Sequence, residues 1–207
     1  MHKNYFDIVM NYIEENVDKR TEEIKREIPG IVLENCSSGG HRLEPSLMAQ
    51  MSMASFSDAH ECPEIPIIAA GLHRVIHPRQ SQIWAVIRTD DSLKRIAYSV
   101  ANTFLGRLCI SGDVLELTKE QWEVLDNGLA FYKRIAPIIK EGQSYLHYTP
   151  FKAYRHPKGW QVLVRTGKNG EAFALIHTFG GQLPETISIP LPEGCQKAIP
   201  RFSGVAG

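Results

Sequence analysis

A dense group of chemically active side chains lies between Glu34 and Glu64, in the segment ENCSSGGHRLEPSLMAQMSMASFSDAHECPE. Cys36 is followed by a loop with two adjacent glycines, Gly39 and Gly40, and the pair Ser57 and Asp58 comes further along the segment. Adjacent glycines let a backbone approach a ligand without an intervening side chain. A carboxylate can give or take a proton in general acid–base catalysis. The segment therefore has the residue types of a binding loop and a catalytic acid.

Each of these residues also has a structural interpretation. An aspartate after a strand is commonly the N-cap of the next helix, and the residues alone favour that role for Asp58. Cys36 taken alone is more commonly a small buried side chain than a nucleophile. No lysine follows Gly40, so a phosphate-binding P-loop is disfavoured.

A metal site is also disfavoured. His73 and His77 are four residues apart on a predicted helix, but the glutamate of a zinc-binding H-E-x-x-H motif is absent. A structural role is favoured for both histidines. Neither a metal nor another cofactor is expected.

Alternating helices and strands are predicted to position the segment. Helices are predicted by apolar periodicity and capping residues over residues 5–27, 45–53, 64–76, 90–105 and 119–140. Three short apolar runs predict strands over residues 31–33, 54–57 and 107–111. In α/β sheets, functional residues gather where parallel strands end. Cys36 follows the first predicted strand, and Ser57 and Asp58 end the second.

The chain after residue 142 has a different pattern. The runs YLHY, WQVLVRT, AFALIHT and TISIPL are rich in strand-forming residues and are separated by turn signals such as HPKG and GKNG. The fold class predicted is α/β followed by all-β. Two domains are expected, an α/β part over residues 1–142 and an antiparallel β part over residues 143–207.

The amino-acid composition excludes some classes of binding partner. Lys+Arg and Asp+Glu are both 23, so no basic surplus favours nucleic acid or an anionic membrane. No secretory signal or bilayer-spanning apolar run is recognised. The 4 cysteines form no C-x-x-C pair, which suggests free thiols in a reducing compartment. We expect a cytoplasmic protein that binds neither nucleic acid nor membrane.

The run IVLENCSSGGHRLEPSLM, followed by SFSD, resembles the melibiase-type α-galactosidases of glycoside hydrolase family thirty-six. The later run GRLCISGDVLELTKEQWEVLDNGLAFYKRIAPIIKEG resembles that family's last barrel strand and helix, so the resemblance covers residues 29–142. It implies the C-terminal part of a (β/α)8 TIM barrel followed by an antiparallel β-sandwich domain. It also implies retaining hydrolysis of terminal α-galactosides.

The resemblance assigns roles to single residues. Asp58 corresponds to the family's general acid and base, which overturns its interpretation as an N-cap. The sugar of an α-galactoside oligosaccharide would be contacted by the loop and the adjoining strand end, at Cys36, Gly39, Gly40, Arg42 and Ser57. Several positions depart from the family pattern and leave the exact sugar open, namely His41, Glu44, Ser55, Phe56 and Glu61.

The family's nucleophile has no counterpart in this sequence. No predicted strand ending in aspartate precedes Ile31, and only three barrel strands are predicted. The chain is therefore expected to be a C-terminal fragment that is inactive alone. It would pair through exposed barrel edges with the missing N-terminal part or in a homo-oligomer. The alternative is a non-catalytic carbohydrate-binding or interaction module, for which Trp84, Trp122 and Trp160 are available to stack on sugars.

Overall fold

The computed structural model describes residues 11–12, 16–17, 19–36, 40, 42–57, 63–151, 155–190, 193 and 202. In these ranges a four-stranded parallel sheet precedes a three-stranded antiparallel sheet. No helix among the residues described is long and apolar enough to cross a membrane.

Helices alternate with the strands of the parallel sheet, and one long helix leads to the second sheet. The helices are α1 (Lys19–Glu27), α2 (Pro45–Gln50), α3 (Ile65–Leu72), α4 (Leu93–Asn102) and α5 (Lys119–Glu141). The parallel strands are β1 (Glu34–Asn35), β2 (Met53–Ser55), β3 (Ser81–Ile87) and β4 (Arg107–Gly112), and they lie side by side in chain order. The antiparallel strands are β5 (Gln143–Tyr148), β6 (Trp160–Thr166) and β7 (Ala172–Thr178), also in chain order.

The parallel sheet has an apolar face and a more polar one. Side chains alternate between the faces along a strand, and Ile83, Ala85 and Ile87 of β3 are all 0% exposed. Ile83 and Ile87 share a core with side chains of α4 and α5. The alternate positions carry Gln82, Trp84 and Val86, so the face away from those helices mixes polar, aromatic and apolar side chains.

Polar caps fix where the two longest helices begin. Ser92 caps α4 by accepting a hydrogen bond from the Arg95 amide at 3.2 Å. The sequence pair Thr118 and Gln121 predicts a capping box at the start of α5, and the two residues do bond reciprocally there. The buried Gln121 amide also donates to the carbonyls of Thr89 and Asp91, both at 3.0 Å, which ties α5 to the loop after β3.

Buried polar side chains attach the antiparallel sheet to the helices. Arg165 of β6, only 3% exposed, donates from Nε to the Ile138 carbonyl and from a terminal nitrogen to the Ile139 carbonyl, each at 2.8 Å. Gln161 donates to the Pro66 carbonyl at 2.9 Å. Truncating such a donor would leave each buried acceptor unsatisfied at a cost of about 1–3 kcal/mol. Leu163 of the same strand joins the main core.

Several sequence predictions of elements were wrong. Residues 31–33 were predicted to be a buried strand, but Val32 is 55% exposed and pairing begins at Glu34, because the partner strand β2 begins at Met53. Strand β3 was missed, since a buried parallel strand lacks the alternating pattern of a half-exposed one. The helix predicted over residues 64–76 ends at Leu72, and residues 186–190 of the predicted TISIPL strand lie in no strand. In the described part of the helix predicted over residues 5–27, residues 11–12 are α-helical, residues 16–17 are π-helical, and α1 runs from Lys19 to Glu27.

The buried histidine of β7 generates a pH prediction. Burial lowers the pKa of His177 to about 3, and its Nε2 lies 2.9 Å from Asn102 Oδ1. The unfolded chain has the ordinary histidine pKa of about 6.5, so between those two pH values it binds a proton that the folded chain does not. The free energy of unfolding should therefore fall as the pH decreases through this window, by about 1.4 kcal/mol per pH unit for this residue. Urea unfolding at several pH values between about 7 and about 4 measures it.

The variant His177→Gln is the control, because it removes the titrating ring and places a side-chain amide near Asn102 in its stead. Its pH slope should be shallower than that of the parent by about one proton. An unchanged slope in the variant would show that His177 does not carry the effect.

Candidate functional site

The sequence-predicted site residues that the structure describes lie at the carboxyl ends of the parallel strands. Cys36 directly follows β1, and Ser57 follows β2 with one residue between. The two strands pair in parallel, with Glu34 opposite Met53, so both strand ends open at the same edge of the sheet. Cys36 is exposed and Ser57 is half-buried. The edge therefore presents a thiol and a hydroxyl on neighbouring strands.

The loop after β1 packs on the end of β2 through a glycine. Gly40 has φ +89°, and a Cβ placed there would lie 2.7 Å from the Phe56 carbonyl oxygen. Any larger residue would be both strained and in steric conflict with that backbone. Gly40 therefore packs closely on the Phe56 backbone, while the approach of its backbone to a ligand stays a prediction.

A buried asparagine closes the same loop. The Asn35 side-chain nitrogen donates to the Arg42 carbonyl and lies 3.7 Å from Met48 Sδ. This bond joins the residue before Cys36 to a residue beyond Gly40, so it fixes both ends of the loop while the Arg42 side chain is exposed. Sequence reasoning missed Asn35 as a positioning residue. The signal was a polar residue at a position where the pleat turns its side chain towards the core.

Polar and aromatic side chains cover the open face of the sheet below this edge. Trp84 Nε1 donates to Ser55 Oγ at 3.3 Å. Burial raises the pKa of the Cys109 thiol, a hydrogen bond with Gln82 lowers it, and the charge of Glu34 raises it. Pockets for polar ligands combine an apolar or aromatic wall with a few fixed hydrogen-bonding groups. This face has both, and Trp84 was considered in the sequence only as a stacking candidate.

Charged residues also occupy the carboxyl ends of β3 and β4. Arg88 pairs with Asp113 at 3.5 Å, its backbone amide donates to Asp91 at 2.8 Å, and the Thr89 amide donates to Asp113 at 3.4 Å. These carboxylates are engaged with a cation and with backbone amides of the loops, so they order the edge. Sequence analysis missed them because it did not predict β3.

Two of the predicted site residues, Gly39 and Asp58, lie outside the described residues. Asp58 is the residue after Ser57 in the chain. Within the part of the chain that the structure covers, no three His, Cys, Asp or Glu side chains cluster as a metal site would require.

The predicted placement of His73 and His77 on one helix was wrong. His73 is the C-cap of α3, and His77 lies beyond the helix. The His73 ring bonds Ser144 Oγ at 2.8 Å and contacts the Leu105 carbonyl. Burial lowers the pKa of His73 to about 4, which fits the structural role favoured by the sequence.

Comparison with known proteins adds to this geometry. The family model described as Melibiase matches residues 6–142. The alpha-galactosidase AgaA of Geobacillus stearothermophilus is 26% identical over 142 residues, which are 63% of this chain and 18% of that protein. The chain thus spans less than a fifth of the length of this curated relative.

Solved structures share the fold. A structure of AgaA in complex with raffinose superposes with a TM-score of 0.63 at 21% identity, covering 75% of this chain and 22% of the other. The alpha-galactosidase of Lactobacillus brevis gives a TM-score of 0.68 at 20% identity, covering 83% of this chain and 23% of the other. A further AgaA structure is a complex with stachyose. At these identities the structural match demonstrates the α/β parallel sheet followed by an antiparallel sheet.

The exposure of Cys36 generates a chemical prediction. Thiolates react faster when they are exposed and when their pKa is not raised by burial. Cys36 is exposed, whereas Cys109 is half-buried and has a raised pKa. Iodoacetamide should therefore alkylate Cys36 well before Cys109, as measured by peptide mass spectrometry over a time course. Alkylation of both at one rate would contradict the placement of Cys36 at an open edge.

Proposed function

Because this chain belongs to the Melibiase family, we propose that it is part of a glycoside hydrolase of the α-galactosidase type. The proposed reaction removes a terminal α-linked galactose with retention of configuration. The observation that carries the proposal is that the family match spans the whole carboxyl edge of the parallel sheet, including Cys36, Gly40 and Ser57. AgaA has been captured with raffinose and with stachyose, and we propose an α-galactoside oligosaccharide as the substrate here.

The proposed acid and base is Asp58. Retaining hydrolysis needs two carboxyl groups about 5 Å apart, one protonated and one ionised. In the first step the Asp58 carboxyl gives its proton to the glycosidic oxygen as the bond to the anomeric carbon breaks, and the nucleophile's carboxylate bonds that carbon. In the second step Asp58 takes a proton from water, whose oxygen displaces the nucleophile. The position next to Ser57, at the exit of β2, supports this role.

The remaining predicted residues are proposed to hold the sugar. Sugar hydroxyls need hydrogen-bonding groups and a closely approaching backbone. Cys36, Ser57 and the exposed Arg42 supply the side chains, and the turn at Gly39 and Gly40 supplies the backbone. The hydrogen bond from Asn35 to the Arg42 carbonyl supports this assignment, since it fixes the loop before any ligand arrives.

The four parallel strands are proposed to be consecutive strands of a (β/α)8 barrel. Their chain order, and the fact that β1 and β4 each pair with a single described strand, support this. The outer edges of β1 and β4 present backbone N–H and C=O groups that can pair with further strands. We propose that residues 1–142 form this barrel part, with the polar face inside, and that residues 143–207 form a β-sandwich domain, of which one sheet is described.

The nucleophile is proposed to come from a strand outside these 207 residues, so the chain should be inactive alone. The small share of each relative that the chain spans supports this proposal. We also propose a cytoplasmic location, because of the amino-acid composition and the spacing of the cysteines.

Ligand protection tests the sugar site without requiring turnover. Galactose or melibiose should slow alkylation of Cys36 more than that of Cys109, because Cys36 lies at the proposed sugar-binding edge and Cys109 lies lower on the face, within β4. Glucose is the matched control sugar and should protect less. No protection of Cys36 at saturating galactose would contradict the site.

Reconstitution tests the catalytic role in the same experiment series. The chain alone should release no p-nitrophenol from its α-galactoside, and adding the part of AgaA that precedes the matched segment should restore release. Asp58→Ala should then lower the rate by about 10²–10⁴-fold. Asp126→Asn, which changes an exposed carboxylate in the middle of α5, should not. Protection that survives without any reconstituted turnover would favour a carbohydrate-binding module.

A further inference from the structure

A wide cavity of about 1080 Å³ lies at the other end of the parallel strands from Cys36 and Ser57. Its wall includes the 3-10 turn Pro78–Gln80, which leads directly into the amino end of β3. The remaining lining comes from α2, the residues after α3, the C-terminal turn of α5, the start of β5, and the end of β6 with the turn that follows it. The cavity is therefore built where the parallel and antiparallel parts of the chain meet.

Positive charge is concentrated in this cavity. The lining cations come from four different segments, and they are Arg74, Arg79, Lys140, Arg165 and Lys168. Glu141 is the single carboxylate among the lining residues described. The whole chain carries 23 basic and 23 acidic residues, so this surplus is a local arrangement.

The one carboxylate is already paired. Glu141 accepts a hydrogen bond from Lys168 at 2.9 Å. That bond is the main reason that the pKa of Glu141 is lowered, with further contributions from the charges of Lys168, Lys140 and Arg79. Lys168 therefore bonds Glu141 directly, and the charges of Lys140 and Arg79 act on it without a bond.

Arg74, Arg79 and Lys140 are exposed and form no ion pair with any residue that the structure describes. Arg165 is different, since its guanidinium is bonded to two carbonyls at the end of α5 and to Ser144 Oγ. The Arg165 guanidinium neutralises the partial negative charge at the C-terminus of α5, which would otherwise repel an anion from the cavity.

The base of the cavity is fixed by hydrogen bonds. His73 Nδ1 lies 2.8 Å from Ser144 Oγ, which joins the end of α3 to β5. The same hydroxyl accepts from Arg165. Burial keeps His73 neutral at physiological pH. Among the residues described, the unpaired positive charge of the cavity therefore lies on Arg74, Arg79 and Lys140, since Lys168 is paired with Glu141.

We propose that this cavity is a binding site for a small multivalent anion of the phosphate class. Guanidinium groups bind phosphate through paired, charge-assisted hydrogen bonds, and two arginines with one lysine match the charge of a diphosphate. An uncharged sugar would leave these cations unneutralised. The assignment is independent of the proposed glycosidase activity, because it rests on a different end of the sheet.

Calorimetry of the 207-residue chain with inorganic pyrophosphate tests the site. Binding with one molecule per chain is expected at near-physiological salt. A parallel titration uses a hexose bisphosphate. Tighter binding of pyrophosphate would indicate that the site takes a free diphosphate, and tighter binding of the bisphosphate would indicate a phosphorylated metabolite. Absence of binding by both compounds would overturn the proposal.

Matched variants locate the binding. Arg79→Gln and Lys140→Gln should each weaken the affinity by about tenfold, the effect of one charge-assisted bond. Lys133→Gln, an exposed lysine on the same helix as Lys140 but outside the cavity, should leave it unchanged. Circular dichroism of each variant verifies folding, and Lys140→Gln serves if Arg79→Gln does not fold. Equal weakening by Lys140→Gln and Lys133→Gln would overturn the site, because it would indicate non-specific charge attraction.

Discussion

Parallel pairing of β1 to β4 is the constraint on which the rest of the structure depends. It brings the carboxyl end of every strand to one edge, so residues distant in sequence, such as Cys36 and Ser57, are neighbours. The pleat then separates an apolar face, which α4 and α5 cover, from a face that carries Ser55, Gln82 and Trp84. Parallel pairing therefore accounts both for the reactive side chains at the strand ends and for the polar side chains on the sheet face below them. Moving the register by one residue would exchange the two faces.

Buried polar side chains hold the two sheets in place around that arrangement. Gln121, Gln161 and Arg165 each donate to backbone carbonyls of another element. Such bonds contribute modestly when made, and about 1–3 kcal/mol is lost for each buried partner left unsatisfied. They therefore specify which elements can meet. The same requirement positions the loop after β1, where Asn35 bonds the Arg42 carbonyl.

The α/β region, the β region and the edge at which the candidate site lies could be predicted from the sequence, because helical periodicity, the Thr118 and Gln121 cap and the turn residues are local signals. Strand β3 could not, since a strand buried in a parallel sheet has an apolar run without a diagnostic period. The role of Arg165 was inaccessible, because it depends on backbone carbonyls brought close only by the fold. Asn35 was missed for another reason, since the first strand was predicted to end at Leu33. The packing of Gly40 on Phe56 was not predicted either, because the sequence does not show which backbone segment lies against the loop.

The central claim is that a galactose ring binds at the carboxyl edge between the loop after β1 and the end of β2, with Asp58 as its acid and base. A crystal structure of the 207-residue chain soaked with galactose measures this most directly. The account predicts the ring in contact with Cys36 and the Asp58 carboxyl about 3 Å from the anomeric oxygen. An Asp58 side chain turned into the interior, or lying more than about 10 Å from that oxygen, would contradict it.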